Sequence, residues 1–116
     1  MKITDINGYA LSSKYGDGNN FGQPLGVKSI GIVEIKTDND IIGFGETYSG
    51  VYVPELIKPV VEFLKPNIIG LNPINIEEVI NKIKIPFITD SGLVRSIISA
   101  IDIALWDIKG QAYEKP

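Results

Sequence analysis

The chain has 116 residues, enough for one domain, with 44% apolar and 22% charged residues, the balance of a globular protein rather than a disordered one. A net charge of −3 gives no nucleic-acid surface and no acidic tail. The absence of cysteine and histidine excludes a disulfide framework, thiolate or imidazole metal sites and any Ser-His triad.

Met1 to Asp5 lacks the apolar run of a signal peptide. No stretch reaches the ~18 apolar residues of a membrane span, so a cytoplasmic setting without membrane contact is expected.

Lys2 to Leu11 predicts a first strand of weak alternation, and Ser12 to Gly26 a long glycine- and asparagine-rich loop. Val27 to Thr37 predicts a second strand, dense in β-branched residues. Asp38-Asn39-Asp40 predicts a tight turn into a third strand, Ile41 to Tyr48. There Ile42, Phe44 and Tyr48 share one face, while Gly43 and Gly45 invite close packing on the other. The period then becomes helical. Pro54 opens a helix through Leu64 that Pro59 kinks or restarts, and Lys65-Pro66 ends it. Asn75 with Glu78 predicts a capping box for a second helix, whose stripe is Ile76, Val79, Ile80 and Ile83 and which Pro86 closes. A third helix, Leu93 to Ala112, carries Val94, Ile97, Ile98, Ile101, Leu105 and Ile108 on one stripe. Ala100, Ile103, Ala104 and Trp106 widen that stripe until little of the helix is polar, so it demands cover on nearly every side. Three strands followed by three helices predict an α+β domain, a three-stranded antiparallel sheet with helices on one face.

Chemistry-bearing patterns are sparse. Asp38, Asp40 and Glu46 resemble a calcium loop, but Ile42 stands where a ligand oxygen is required, so a hairpin turn explains them better. Gly16 to Gly22 matches a phosphate loop poorly, because a strand follows it; a surface loop is the stronger reading. Asp102 and Asp107 lie about 140° apart on a helix and form no pair on one face. Capping, ion pairing with Arg95 or Lys109, or holding a neighbour's backbone suits them better than catalysis. Trp106 reads as an interface anchor. Tyr48 and Tyr52 stand in a polar cluster, Glu46 to Tyr52, where a strand end becomes a loop, a common place for binding groups. The residues alone thus give an α+β domain with no self-sufficient catalytic set and two polar, aromatic-bearing loops, near 15–24 and 47–52.

Four stretches together resemble one family. Lys2-Ile3-Thr4-Asp5-Ile6 is similar to its opening strand. Val33 to Asp38 with Gly43-Phe44-Gly45-Glu46 resembles its V-x-I-x-T-D-x-G-x-x-G-x-G-E hairpin. Ile69-Gly70-Leu71-Asn72-Pro73 resembles its I-G-x-D-P link, with Asn72 in place of the acid, and Asp40 occupies a place where glycine is common. Ser99 to Gly110 resembles its most recognisable helix. The family is the mandelate racemase/muconate lactonizing branch of the enolase superfamily.

The resemblance implies an N-terminal capping domain over residues 1–116, with an enolase N-terminal-domain-like fold, packed on a C-terminal catalytic barrel. It implies proton abstraction α to a carboxylate, assisted by Mg²⁺ in the full-length enzyme: an isomerase or lyase acting as racemase, epimerase, cycloisomerase or acid-sugar dehydratase. The implied catalytic and metal-binding residues lie on the barrel; none maps onto this chain. Tyr15, Asn19, Asn20, Phe21 and Gln23 would form one substrate-specificity loop, and Thr47, Tyr48 and Tyr52 the other. Asp102, Trp106 and Asp107 would fix the junction with the barrel. The polar first loop favours a small hydroxylated carboxylate such as a sugar acid. A homo-oligomer is expected. The competing reading is a free-standing, non-catalytic protein-interaction module using the apolar helix face.

Overall fold

The computed structural model describes residues 1–14, 26–90 and 92–116. Strands β1 (Ile3–Lys14), β2 (Val27–Thr37) and β3 (Ile42–Thr47) form an antiparallel sheet in the order β1-β2-β3. Helices α1 (Ser49–Tyr52), α2 (Ile57–Leu64), α3 (Ile76–Ile83) and α4 (Gly92–Tyr113) follow, so the expected segregation of strands and helices holds.

The core lies between one sheet face and the helices. Ile6, Val33 and Ile35 from the sheet meet Ile57, Val61 and Leu64 of α2, Val79 and Ile83 of α3, and Ile97, Ile101, Leu105 and Ile108 of α4. Gly43 and Gly45 explain how α4 comes so close to β3. A methyl group on Gly45 would strike the Ala100 carbonyl, and one on Gly43 the Ala104 carbonyl. Ile42 and Phe44 point outward, with Phe44 exposed, and the close packing expected on the Gly43 and Gly45 face is there. The buried face of β3 is Gly43, Gly45 and Thr47. Small residues there let a helix backbone replace side-chain packing.

Local chemistry sets the element ends. Asp40 adopts φ 63°, so the hairpin place usually held by glycine does require a left-handed residue, and aspartate tolerates it. The Thr37 N–H donates to the Ile41 carbonyl at 3.2 Å to close the turn. β1 runs three residues past the expected Leu11, because Ser12, Ser13 and Lys14 pair with Ser29, Lys28 and Val27. Pro59 does not kink a helix. The chain makes a separate 3₁₀ turn at Pro54–Leu56 and restarts as α2, leaving Pro59 in the first turn, where its missing N–H costs little. The capping box at α3 does not form. Asn75 is the N-cap residue, but its side chain bonds Glu78 Oε2 (3.3 Å) rather than a backbone N–H. Glu77 and Glu78 in the first turn and Lys82 in the last suit the α3 dipole instead. α4 covers the predicted span with one extra residue at each end.

Candidate functional site

Two regions carry the residues singled out by sequence: the turn after β3 and the outward face of α4. Tyr15, Asn19, Asn20, Phe21 and Gln23, with the Gly16 to Gly22 segment, lie outside the described residues. The ends that deliver them, Lys14 and Val27, pair with each other at the same end of the sheet where β3 finishes against Gly31 at Thr47.

The stretch after β3 is a single helical turn rather than a loop. Tyr48 is the N-cap residue of α1, and the Val51 N–H donates to the Tyr48 carbonyl at 3.0 Å. Gly50 rests on the β2 backbone at Ile30 and Gly31, a place with no room for a methyl group. Val51 is buried beside it. The turn thus places Tyr48 and Tyr52 four residues apart, on one side, with ring centroids 5.6 Å apart and planes at 72°. Both rings reach solvent, at 65% and 44% exposure. The neighbouring Tyr48 hydroxyl, then partial desolvation, raises the Tyr52 phenol above its ordinary value of 10.0.

Thr47 faces the other way. It is 2% exposed, and its hydroxyl lies 2.7 Å from Ser96 Oγ on α4 while accepting the Ser49 N–H at 3.3 Å. Its side chain thus bonds inward, while the tyrosine rings beside it reach solvent. Nothing in the sequence pattern singles out Ser96, because its partner is 49 positions away.

The three junction residues separate on α4. Asp107 turns toward the sheet: its Oδ2 accepts the Phe44 N–H at 2.9 Å. Gln111, one turn later, donates through Nε2 to the Ile42 carbonyl (2.7 Å) and to Asp107 Oδ1 (3.1 Å). Together they satisfy backbone groups on the outer edge of β3, as a further strand would. Trp106 and Asp102 face outward and line an open groove of about 830 Å³ between α3 and α4, with Ile74, Ile80 and Glu78 opposite. Trp106 is 57% exposed, and the Lys109 ammonium lies 4.9 Å from its ring centroid. Asp102 makes no hydrogen bond or ion pair among the described residues. Ile103 and Tyr113 extend this face as further exposed apolar groups. At the end of α4, Glu114 takes φ 52° and the Lys115 N–H donates to the Gly110 carbonyl at 2.9 Å. The backbone so turned passes over Gly110, one turn beyond Trp106, where an added methyl group would lie 2.9 Å from the Lys115 carbonyl oxygen.

Among the described residues, no three acidic side chains converge to hold a metal ion. Every buried side-chain polar atom among them has a partner, so no cavity holds an orphaned acid or base. No described helix is long and apolar enough to cross a membrane. The described residues offer a paired aromatic surface at one end of the sheet and an exposed apolar face on α4.

Comparison with known proteins gives the frame for both surfaces. Residues 24–116 match the family described as mandelate racemase/muconate lactonizing enzyme, N-terminal domain. A hydrophobic dipeptide epimerase of Enterococcus faecalis is 37% identical over 92 residues, which are 73% of this chain and 24% of that protein. The structure of an enolase-superfamily member from Polaromonas superposes with TM-score 0.80 at 27% identity, covering 97% of this chain and 31% of that one. The 3,6-anhydro-D-galactonate cycloisomerase of Zobellia galactanivorans superposes with TM-score 0.78 at 32% identity, covering 97% and 29%. The chain therefore spans about a quarter to a third of the length of the relatives it matches. A matching family over most of the chain, a matching three-stranded sheet and a matching helical layer have one common explanation: this chain belongs to the N-terminal domain family of the mandelate racemase/muconate lactonizing enzymes, in the enolase superfamily.

Proposed function

We propose that this chain is the capping and substrate-selecting domain of a racemase, epimerase, cycloisomerase or acid-sugar dehydratase that removes a proton α to a carboxylate. Residues 1–116 form a single cap in this reading, and the chemistry belongs to a C-terminal barrel. The observation that carries it is positional. The Lys14 and Val27 ends and the Tyr48–Tyr52 turn share one end of the sheet, so one ligand beneath that end would meet both. Barrel enzymes present their substrates at such a face.

Tyr48 and Tyr52 would contact the substrate through ring edges and hydroxyls, together with Tyr15, Asn19, Asn20, Phe21 and Gln23. Thr47 would act on the substrate only through the turn it orients. The amide-rich segment favours a small hydroxylated carboxylate. Asp102 and Trp106 would meet the barrel, in keeping with the groove they line and with the backbone folding back beside them at Gly110. Asp107 would support that junction from behind, through β3. The Mg²⁺ ligands of such an enzyme would come from the barrel; among the described residues no three acidic side chains converge to hold a metal ion. A cytoplasmic homo-oligomer completes the reading.

The test is to join this chain to a barrel from a relative. The fusion is expected to acquire Mg²⁺-dependent proton exchange at the α-carbon of a carboxylate, while the 116-residue chain alone shows none. A folded fusion that binds no Mg²⁺ would sink the assignment. Exchanging residues 15–24 is expected to change substrate preference; an unchanged preference would remove that segment from the selecting surface.

A further inference from the structure

We infer that Thr47 and Ser96 are positioning residues for the Tyr48–Tyr52 pair, so that α4 rather than the local chain sets the geometry of the tyrosine surface. This rests on the reading of that pair as substrate-facing.

α1 is four residues long, far below the length at which a helical turn holds itself in water. Its own bonds, Val51 N–H to the Tyr48 carbonyl and Val53 N–H to the Ser49 carbonyl, close little more than one turn. The Tyr48–Tyr52 contact nevertheless depends on that turn, because on a helix side chains four apart share one face. The turn must therefore be held from outside. Gly50 and Val51 hold it against β2 by shape alone. The side-chain hydrogen bonds that tie this turn to α4 run through Thr47. Its hydroxyl joins the first N–H of α1, at Ser49, to Ser96 on α4.

Ser96 is the outermost of a series of contacts along one side of α4. Ala100 and Ala104 press their backbone against Gly45 and Gly43, and Asp107 and Gln111 bond the β3 edge at Phe44 and Ile42. α4 thus grips β3 along its whole length and reaches past it to the turn. Another side of the same helix carries Asp102 and Trp106. A single rigid element connects the proposed barrel junction to the proposed substrate surface.

The test uses tyrosine ring NMR in the 116-residue chain, with Tyr113, at the other end of α4 from Ser96, as the internal reference. Ser96→Ala and Thr47→Val are each expected to weaken or abolish the Tyr48–Tyr52 ring cross-peak and shift both rings' resonances. Tyr113 should stay in place, and Thr47→Ser should restore the pair. If Thr47→Val fails to fold, the half-buried Ser96→Ala decides. An intact cross-peak with unmoved ring resonances in folded Ser96→Ala overturns the inference. In a barrel-carrying protein, Ser96→Ala is expected to raise KM about two- to tenfold, the equivalent of one net hydrogen bond, with a smaller change in kcat. An unchanged KM in Tyr48→Phe and Tyr52→Phe would remove the substrate-facing reading while leaving the NMR result to judge Thr47 and Ser96.

Discussion

Single residues fix the closest contacts in this fold, and the tightest is Gly45 against the Ala100 carbonyl. Gly45→Ala is expected to destabilise the domain by about 1–3 kcal/mol, because backbone cannot yield as a flexible side chain can. A lowered urea midpoint at unchanged slope would register it; an unchanged midpoint would mean that α4 does not lie so close. Asp5 offers a pH-dependent test. Its 2.6 Å bond to Lys65 holds its carboxyl below the ordinary value of 3.8. The ionised form is therefore favoured in the folded chain. That contribution is complete above pH 3.8 and is lost as pH falls through the depressed folded value. Lys65 gives the converse: raised above 10.5 chiefly by the same bond, it contributes below that pH and loses its share on passing above it. The pair is about one-third exposed, so the effect is small and screened by salt. Asp5→Asn should lower the melting temperature slightly at neutral pH, and the gap to the parent should narrow as the pH falls below 3.8. A gap constant with pH would show that Asp5 acts by shape alone.

At the scale of elements, edge chemistry matters more than propensity. Asp107 and Gln111 stand in for a missing fourth strand along β3. Removing the carboxylate in Asp107→Ala leaves the Phe44 N–H at an exposed edge. It should cost about 1 kcal/mol and promote edge-to-edge association, visible by light scattering. Asn75→Ala should cost less than a true N-cap loss of about 1 kcal/mol, because Asn75 makes no side-chain bond to the α3 backbone. A loss as large as that of a true cap would mean the capping box forms in solution. These two cases also mark what the sequence could and could not reveal. The β2 boundaries followed from its run of β-branched residues, and the α4 span from its apolar repeat, because both signals are local and periodic. Close packing on the Gly43 and Gly45 face was legible from their small size, whereas the Ala100 and Ala104 carbonyls that fill it were not, because they belong to a helix distant in sequence. The α1 turn was hidden as well, since its support comes from β2 and from Ser96 rather than from its own four residues. For the candidate site, the tyrosines and Trp106 were legible as residue types. Thr47's inward aim and Asp107's bond to Phe44 depend on contacts 49 and 63 positions away.

The whole molecule has two unlike sides. The side of α4 that faces the sheet is packed through Ile97, Ile101, Ala104 and Ile108, while the opposite side exposes Ile103, Trp106 and Tyr113. In this chain the tryptophan should emit as a partly hydrated indole and be quenched readily by iodide. In a barrel-carrying protein the emission should shift to the blue and quenching should fall. Equal quenching in both would place the barrel elsewhere.

The β1–β2 pairing continues for four residue pairs, Leu11–Ile30 to Lys14–Val27, beyond the last pairing with β3 at Gly31. That projection is a lever about 13 Å long at 3.3 Å per residue. A lever can be lengthened or shortened without rebuilding its pivot. Inserting or deleting two residues in each strand keeps every side chain on its own face and moves the tip by about 7 Å. In the proposed capping role, such a change adjusts the reach of the domain while its interior stays the same.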